Sequence, residues 1–74
     1  MYYKLIAYRK KADISQEEVA ATLNMTRQTY SKKERMISKF ELNEAIALAN
    51  LFNVSVSELF EEERKNQSAV ITSQ

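Results

Sequence analysis

The stretch S-Q-E-E-V-A-A-T-L-N-M-T-R-Q-T-Y-S-K-K-E, at residues 15–34, decides how this chain folds. Ser15 is followed three residues later by Glu18, which is the capping-box pattern at the start of a helix. Asn24 is a residue type that accepts the left-handed conformation at the end of a helix, and Thr26 can cap a second helix. The stretch therefore predicts two short helices, one directly after Ser15 and one directly after Thr26, with a tight turn at Asn24.

The two predicted helices differ in their apolar content. In the first helix, Val19, Ala20 and Leu23 share one face, and the small Ala20 lets another helix approach closely. In the second helix, at residues 27–34, Tyr30 is the one clear core candidate. A helix this polar has little internal reason to be stable alone, so its outer face is expected to serve a partner.

Three further helices are predicted, at residues 2–12, 40–53 and 56–64. Their apolar faces are predicted to comprise Leu5, Tyr8 and Ala12, then Leu42, Ala45, Ile46, Ala49 and Phe52 widened by Leu48 and Leu51, and finally Val56, Leu59 and Phe60. The chain has no Gly and no Pro, which favours helices with Asn-based turns over a sheet. We expect an all-α, compact bundle of four to five helices.

Local signals mark where these helices end and begin. Asp13 is expected to take a left-handed backbone after the first helix, and Asn53 after the fourth. Ser55 and Glu58 form a second predicted capping box. Residues 1–65 are expected to form a single domain and residues 66–74 a flexible tail. The apolar part of that tail, residues 69–72, could alternatively add a strand to a partner chain.

Composition excludes several classes of function. The 74 residues include no Cys and no His, so disulfides, thiolate chemistry, the usual zinc sites and His-based acid–base catalysis are excluded. We therefore expect no enzyme, no cofactor and no metal. No apolar run approaches the roughly 18 residues of a membrane span, and we expect a cytoplasmic protein.

The net charge of +1 hides an asymmetry. Residues 1–39 hold nine Lys and Arg against four acids, and residues 40–74 hold two against six, so the halves carry about +5 and −4. A basic half that includes the polar helix suits a polyanion. Ordinary solvated surface is the alternative explanation of the same charges.

The order of these signals resembles the DNA-binding domains of the lambda-repressor and Cro-like family, of the xenobiotic-response-element type. Beyond the motif at residues 15–34, the likeness includes Y-R-K-K-A-D-I before it and K-F-E-L-N-E-A-I-A-L-A-N-L-F-N-V-S-V-S-E-L-F after it, and it covers roughly residues 5–60. The resemblance implies a helix-turn-helix domain whose second motif helix enters the major groove.

The resemblance also implies roles for individual residues. Arg, Gln and Lys can pair with the major-groove edges of guanine and adenine. The residues expected to contact bases are Arg27, Gln28, Ser31 and Lys32. The residues expected to contact phosphates are Gln16, Thr26, Thr29 and Lys39. Arg9 and Glu34 are expected to form a partly buried ion pair that joins the first helix to the end of the recognition helix.

Three residues near the end of the recognition helix depart from the family pattern. Met36 stands where a helix-ending Gly is common, and Ile37 stands where a phosphate-binding cation is common. The two side chains either fold into the core or contact a protein. Lys33 stands at a commonly apolar place, and we expect its stem to cover the core while its ammonium reaches solvent.

Two hypotheses about the partner follow. The first is a transcription regulator that binds a two-fold operator in double-stranded DNA as a homodimer. The second is a protein partner. The chain also resembles small regulators of temperate-phage lysogeny switches, of the modulator-of-repression kind, which implies a cognate repressor as partner. The residues expected to face that repressor are Gln28, Lys32, Arg35, Met36 and Ile37.

Overall fold

The fold consists of five helices in a computed structural model that describes residues 1–60. The helices are α1 (Tyr3–Lys11), α2 (Gln16–Thr22), α3 (Arg27–Glu34), α4 (Leu42–Phe52) and α5 (Val56–Leu59). No strand occurs among the described residues, and the all-α prediction is confirmed. The predicted start of α2 and the predicted bounds of α3 agree with the structure. The helix α1 begins and ends one residue inside its predicted range, and α4 begins two residues later and ends one residue earlier than predicted.

Several expectations fall on the C-terminal residues. The predicted continuation of α5 to residue 64, the domain boundary at residue 65, the tail at residues 66–74 and its alternative strand at residues 69–72 all lie outside the described residues.

Ser and Thr hydroxyls cap the starts of three helices, and at the start of α4 the Glu41 N–H donates to the Glu44 carboxylate over 2.9 Å. The Glu18 N–H donates to Ser15 Oγ over 3.1 Å, and the Ser15 N–H donates to the Glu18 carboxylate over 2.9 Å, so the predicted capping box of α2 is present. Thr26 caps α3 by accepting the Thr29 N–H. The second capping box is formed only in half: Ser55 accepts the Glu58 N–H. The Glu58 carboxylate turns instead toward α1, where it accepts hydrogen bonds from other side chains.

A non-glycine residue in the left-handed backbone conformation follows each of the first four helices. Asp13, Asn24, Met36 and Asn53 have φ of 61°, 60°, 68° and 57°. After α3, the Met36 N–H donates to the Lys33 carbonyl over 3.1 Å and the Ile37 N–H donates to the Lys32 carbonyl over 2.8 Å. This pair of bonds is the Schellman motif, which satisfies carbonyls left over at a helix end. The same pattern follows α1, α2 and α4.

One hydrophobic cluster holds the helices together. Its buried members are Leu5, Val19, Ala20, Tyr30, Leu48, Ala49 and Leu59. Aromatic rings extend the cluster at one end of the molecule. The Phe60 ring lies 4.7 Å from the Tyr2 ring and 5.7 Å from the Phe40 ring, between centroids. The chain before α1, the connector before α4 and the end of α5 therefore meet at one place.

The predicted apolar face of α4 was partly wrong. Leu42 and Ile46 were assigned to the core, yet they are 73% and 45% exposed, whereas Leu48, placed at the margin, is fully buried. Apolar residues surround more than half of this helix, so their spacing does not identify the buried side. Ala12, also assigned to the core, is exposed because it is the C-cap of α1, where the chain turns away.

Candidate nucleic-acid interface

The helix α3 has an inner face and an outer face of different chemistry. Tyr30 and Glu34, one turn apart, are its two buried residues. The outer face carries side chains that can donate hydrogen bonds to a polar partner. Its exposed members are Arg27, Gln28, Thr29 and Lys32, with Ser31 half-buried beside them. The inner pair therefore determines which side chains of α3 point away from the protein.

The Glu34 carboxylate is the centre of a buried hydrogen-bond network. Arg9 Nε donates to its Oε2 over 2.9 Å, and the Tyr30 hydroxyl donates to the same oxygen over 2.7 Å. The Gln16 amide donates to its Oε1 over 2.8 Å, and Arg9 Nη2 lies 3.4 Å from that oxygen. These donors belong to α1, α2 and α3 itself. One carboxylate thus fixes α3 against both helices that precede it.

Burial of this network affects the titration of Tyr30. Burial raises the pKa of the Tyr30 hydroxyl well above its ordinary value of 10, and the hydrogen bond to the Glu34 carboxylate raises it further. The hydroxyl therefore stays protonated and remains a donor to Glu34. Among the described residues, every buried side-chain nitrogen and oxygen has a hydrogen-bond partner, so the network closes without an orphaned polar atom.

The surface around α3 is positive. Arg27, Lys32, Arg35 and Lys39 are exposed, while the single acid of α3, Glu34, is buried against the cation Arg9. Because that negative charge is neutralised inside the protein, it does not reduce the positive field of the outer face. Phosphate groups are attracted by such a field.

The predicted phosphate-contacting residues are spread over three segments. Gln16 is half-buried and its amide already donates to Glu34, which leaves its second N–H for a ligand. Thr26 and Thr29 are exposed at the start of α3, and their hydroxyl oxygens lie 2.9 Å apart. Lys39 is exposed on the connector between α3 and α4.

The apolar side chains of the connector after α3, Met36 and Ile37, were expected either to fold into the core or to contact a protein. Met36 and Ile37 are 36% and 63% exposed, so the alternative that both fold into the core was wrong. Met36 takes the left-handed conformation that directs the chain away from α3, and Ile37 follows it onto the surface. The Met1 ammonium nitrogen lies 3.3 Å from the Met36 sulfur, so the N-terminus borders the same surface.

Lys33 differs from its prediction. Its ammonium lies 2.6 Å from the Glu44 carboxylate, and its side chain is 12% exposed, so the charge is held at a protein partner and not in solvent. Partial burial raises the pKa of Glu44, but hydrogen bonds from Lys33 and from the Glu41 N–H outweigh it and leave that pKa below its ordinary value. The pair joins the last turn of α3 to the first turn of α4.

Besides the bonds of Gln16 to Glu34 and of Lys33 to Glu44, polar contacts at two further places were missed from the sequence. The first is the bond from the Tyr30 hydroxyl to Glu34, which the spacing of four residues along a helix could have indicated. The second is on α5, where the Glu58 carboxylate accepts from the Tyr8 hydroxyl over 3.0 Å and from Lys4 over 3.3 Å. Glu58 lies some fifty residues from both, and no local pattern signals such a contact.

Comparison with known protein families identifies the family to which the chain belongs. A helix-turn-helix family model matches residues 5–59, which is most of the chain. The match includes the whole of α2, α3, α4 and α5 and all of α1 except its first two residues. The chain belongs to the lambda-repressor and Cro-like helix-turn-helix family. Domains of this family bind double-stranded DNA in transcription regulation and often dimerise. Within the family's motif, α2 corresponds to the first helix and α3 to the second.

Neither a curated protein nor a solved structure gives a match to the chain. Across residues 1–60, none of the helices combines the length and the apolar character that crossing a membrane requires.

Proposed function

We propose that this member of the family is a sequence-specific DNA-binding transcription regulator that reads the major groove with α3. The observation that carries the proposal is the division of α3 into a buried hydrogen-bonded face and an exposed cationic face. The Glu34 network anchors α3 to α1 and α2 by hydrogen bonds, so the outer side chains are presented on a preformed helix.

Base readout is assigned to Arg27, Gln28, Ser31 and Lys32. Arg27 and Gln28 lie in the first turn of α3, and Ser31 and Lys32 lie one turn further along. In this geometry the N-terminal residues of a recognition helix contact base edges. Arg suits guanine O6 and N7, and Gln suits adenine N6 and N7. Phosphate contacts are assigned to Gln16, Thr26, Thr29 and Lys39, on either side of this stripe.

A two-fold operator fits this arrangement. One α3 contacts only a few base pairs, so a homodimer with its recognition helices one DNA turn apart, about 34 Å, would read two half-sites. The protein is then a regulator whose occupancy of an operator controls a promoter.

Titration of labelled genomic fragments tests the proposal. At physiological salt, at least one fragment is expected to bind the full chain far more tightly than bulk DNA does. Arg27→Ala and Gln28→Ala are each expected to reduce discrimination by about 1–3 kcal/mol. Asn50→Ala, an exposed polar residue on α4, is the matched control and should bind as the wild type does. Equal affinity for every fragment and for bulk DNA would reject the proposal.

Lys39→Ala separates positioning from readout. Because Lys39 is assigned to a phosphate, its loss should weaken binding about equally on all sequences and reduce the salt slope of log K by about 1. A sequence-dependent loss would move Lys39 to the group of base-contacting residues.

A second candidate function is supported by the exposure of Met36 and Ile37 directly after the recognition helix. In this candidate the chain is a modulator in a phage lysogeny switch. It contacts a cognate repressor with Gln28, Lys32, Arg35, Met36 and Ile37 and alters the repressor's binding to DNA. Apolar side chains beside a cationic helix suit a protein surface better than a phosphate backbone.

Co-purification of the repressor with the full chain, after nuclease treatment, tests this candidate. Met36→Asp and Ile37→Asp are expected to abolish the association, since each would bury an unpaired charge in the interface. Leu51→Asp, on a partly exposed residue of α4, is the control and should retain it. Retention of the repressor by both connector variants would remove the basis of this function.

A further inference from the structure

The outer face of α4 carries aliphatic side chains and no charge. The exposed residues of this helix are Leu42, Asn43, Ile46, Asn50 and Leu51. Leu42 and Ile46 lie four residues apart, so they are neighbours on the helix surface, and they are 73% and 45% exposed. Single exposed apolar residues are ordinary, but these two neighbours on an uncharged face form an apolar stripe, which we call the Leu42–Ile46 stripe.

The one charged residue of α4, Glu44, does not interrupt this face. Its carboxylate lies 2.6 Å from the Lys33 ammonium, and the Glu41 N–H donates to the same carboxylate over 2.9 Å. The Glu44 side chain is half-buried between these partners. Its charge is therefore neutralised against α3 and adds little to the field outside α4.

The outer faces of α1, α2 and α3 differ from that of α4 because each of them carries charge. Their exposed charged residues include Lys10, Lys11, Glu17, Glu18, Arg27 and Lys32. The helix α5 has only four residues, which is too short for a helix-to-helix contact. Of the helices in residues 1–60, α4 is therefore the one that offers a long uncharged outer face.

The absence of charge determines which partner this face suits. In a two-fold contact the same patch of both copies meets itself, so each charge near the axis would face a like charge, which is repulsive. An uncharged aliphatic face meets its own copy without that repulsion. It also offers no charge that would attract an acidic or a basic partner. The Leu42–Ile46 stripe therefore suits a second copy of this chain.

We propose that two copies of the chain associate across the Leu42–Ile46 stripe, with the two-fold axis beside Ile46. Because Ile46 lies near the middle of α4, which spans Leu42–Phe52, a contact centred on the helix sets Ile46 against Ile46 of the second copy. The role of this dimer rests on the proposed function, since it is the homodimer that would read two half-sites of an operator.

The association is expected to be weak in free solution because the face is short. The helix α4 has 11 residues and is therefore about 16 Å long. A contact of this length buries less than the roughly 800 Å² per partner of a standard stable interface. Two half-sites on one DNA molecule would hold two copies close together and raise their effective concentration. A weak contact in solution thus suits a protein that dimerises fully on its operator.

Opposite charges placed at Ile46 test the proposal in the full chain without DNA. Sedimentation equilibrium is measured up to millimolar concentration for the wild type, Ile46→Lys, Ile46→Glu and an equimolar mixture of the two variants. Each variant alone should self-associate roughly tenfold more weakly than the wild type, since like charges then meet at the axis. The mixture should associate roughly tenfold more tightly than either variant alone, because opposite charges then meet there.

The variants Leu51→Lys and Leu51→Glu are the matched controls. Leu51 is also exposed on α4, but it lies five residues from Ile46 and hence about 140° around the helix. These variants, alone and mixed, should associate as the wild type does. Asn50→Ala keeps the face uncharged and should do the same. Circular dichroism verifies that each variant is folded.

Two outcomes would overturn the proposal. The first is a mixture of the Ile46 variants that associates no better than either variant alone. The second is a wild type that stays monomeric at every concentration. Because no DNA is present, rescue in the mixture supports the surface even if every genomic fragment binds equally. Selective fragment binding without rescue in the mixture would instead reject the surface and leave the DNA-binding function intact.

Discussion

The helices α3 and α4 are held in the same small domain by different forces. The buried residues of α3 are an aromatic residue and a carboxylate, Tyr30 and Glu34, whereas those of α4 are Ala45, Leu48 and Ala49. Hydrogen bonds to Glu34 are directional and determine both the position and the rotation of α3. Apolar burial is not directional, so it positions α4 without determining which of its many apolar residues face inward. The helix that we propose to present side chains to DNA is the one held by directional bonds.

The largest expected effect comes from removing the centre of the α3 network. Glu34→Ala leaves the buried Arg9 guanidinium without its carboxylate and removes the acceptor of Tyr30 and Gln16. We expect the free energy of unfolding to fall by about 3–5 kcal/mol, as for other broken buried ion pairs. Urea denaturation followed by circular dichroism measures it. A loss below about 1 kcal/mol would mean that α3 is held by apolar packing, as α4 is.

The next effect tests the packing of α4. Leu48 is fully buried, whereas Leu51 is 39% exposed. Leu48→Ala is expected to cost about 2–5 kcal/mol through lost burial and a cavity. Leu51→Ala should cost less than half as much, because it removes a side chain that water already reaches. The same denaturation experiment compares them, and equal losses would show that the buried side of α4 has been misassigned.

A smaller effect is expected at the junction between the two helices. Met36 ends α3 with φ of 68°, a conformation that is costly for a residue with a side chain and free for glycine. Met36→Gly is therefore expected to raise the melting temperature, with a gain of roughly 0.5–1 kcal/mol. Asn53→Gly is the matched control at the end of α4. Its gain should be smaller because Asn tolerates this conformation.

The smallest effect is the pH dependence of the ion pair that links α3 to α4. Because the pKa of Glu44 is lowered in the folded protein from its ordinary value of 4.5, its contribution to stability is present above that value and is lost as the pH falls through the lowered pKa. The stability difference between the wild type and Glu44→Gln should therefore be constant near neutral pH and shrink below about pH 4.5. A difference independent of pH would show that the carboxylate contributes nothing through its charge.

The contrast between α3 and α4 also explains what the sequence could predict. In α3, Tyr30 is the one clear apolar candidate among polar residues, so the inner face was assigned correctly. In α4, apolar residues extend around most of the helix, and the choice between Leu42 and Leu48 depended on tertiary packing that spacing does not contain. Caps and left-handed turns were predictable at Ser15, Thr26 and Asn24, because their chemistry is local.

Of the long-range polar contacts, one was predicted and the others were not. The resemblance to the family indicated that Arg9 and Glu34 would meet. The contact of Glu58 with Tyr8 and Lys4, and the pairing of Lys33 with Glu44, depend on how α1, α3, α4 and α5 come together in space. No spacing within one element indicates them. The roles of individual side chains toward DNA or a protein remain predictions for the binding experiments.

The absence of glycine from the chain has a consequence for the unfolded protein. Left-handed turns at Asp13, Asn24, Met36 and Asn53 are strained in the folded state. However, residues with side chains have fewer backbone conformations than glycine before folding. The unfolded chain is therefore stiffer, and each turn loses less disorder when it forms. Replacing all four residues by glycine would relieve strain while making the denatured ensemble more favourable, so the combined gain should be smaller than the strain alone suggests.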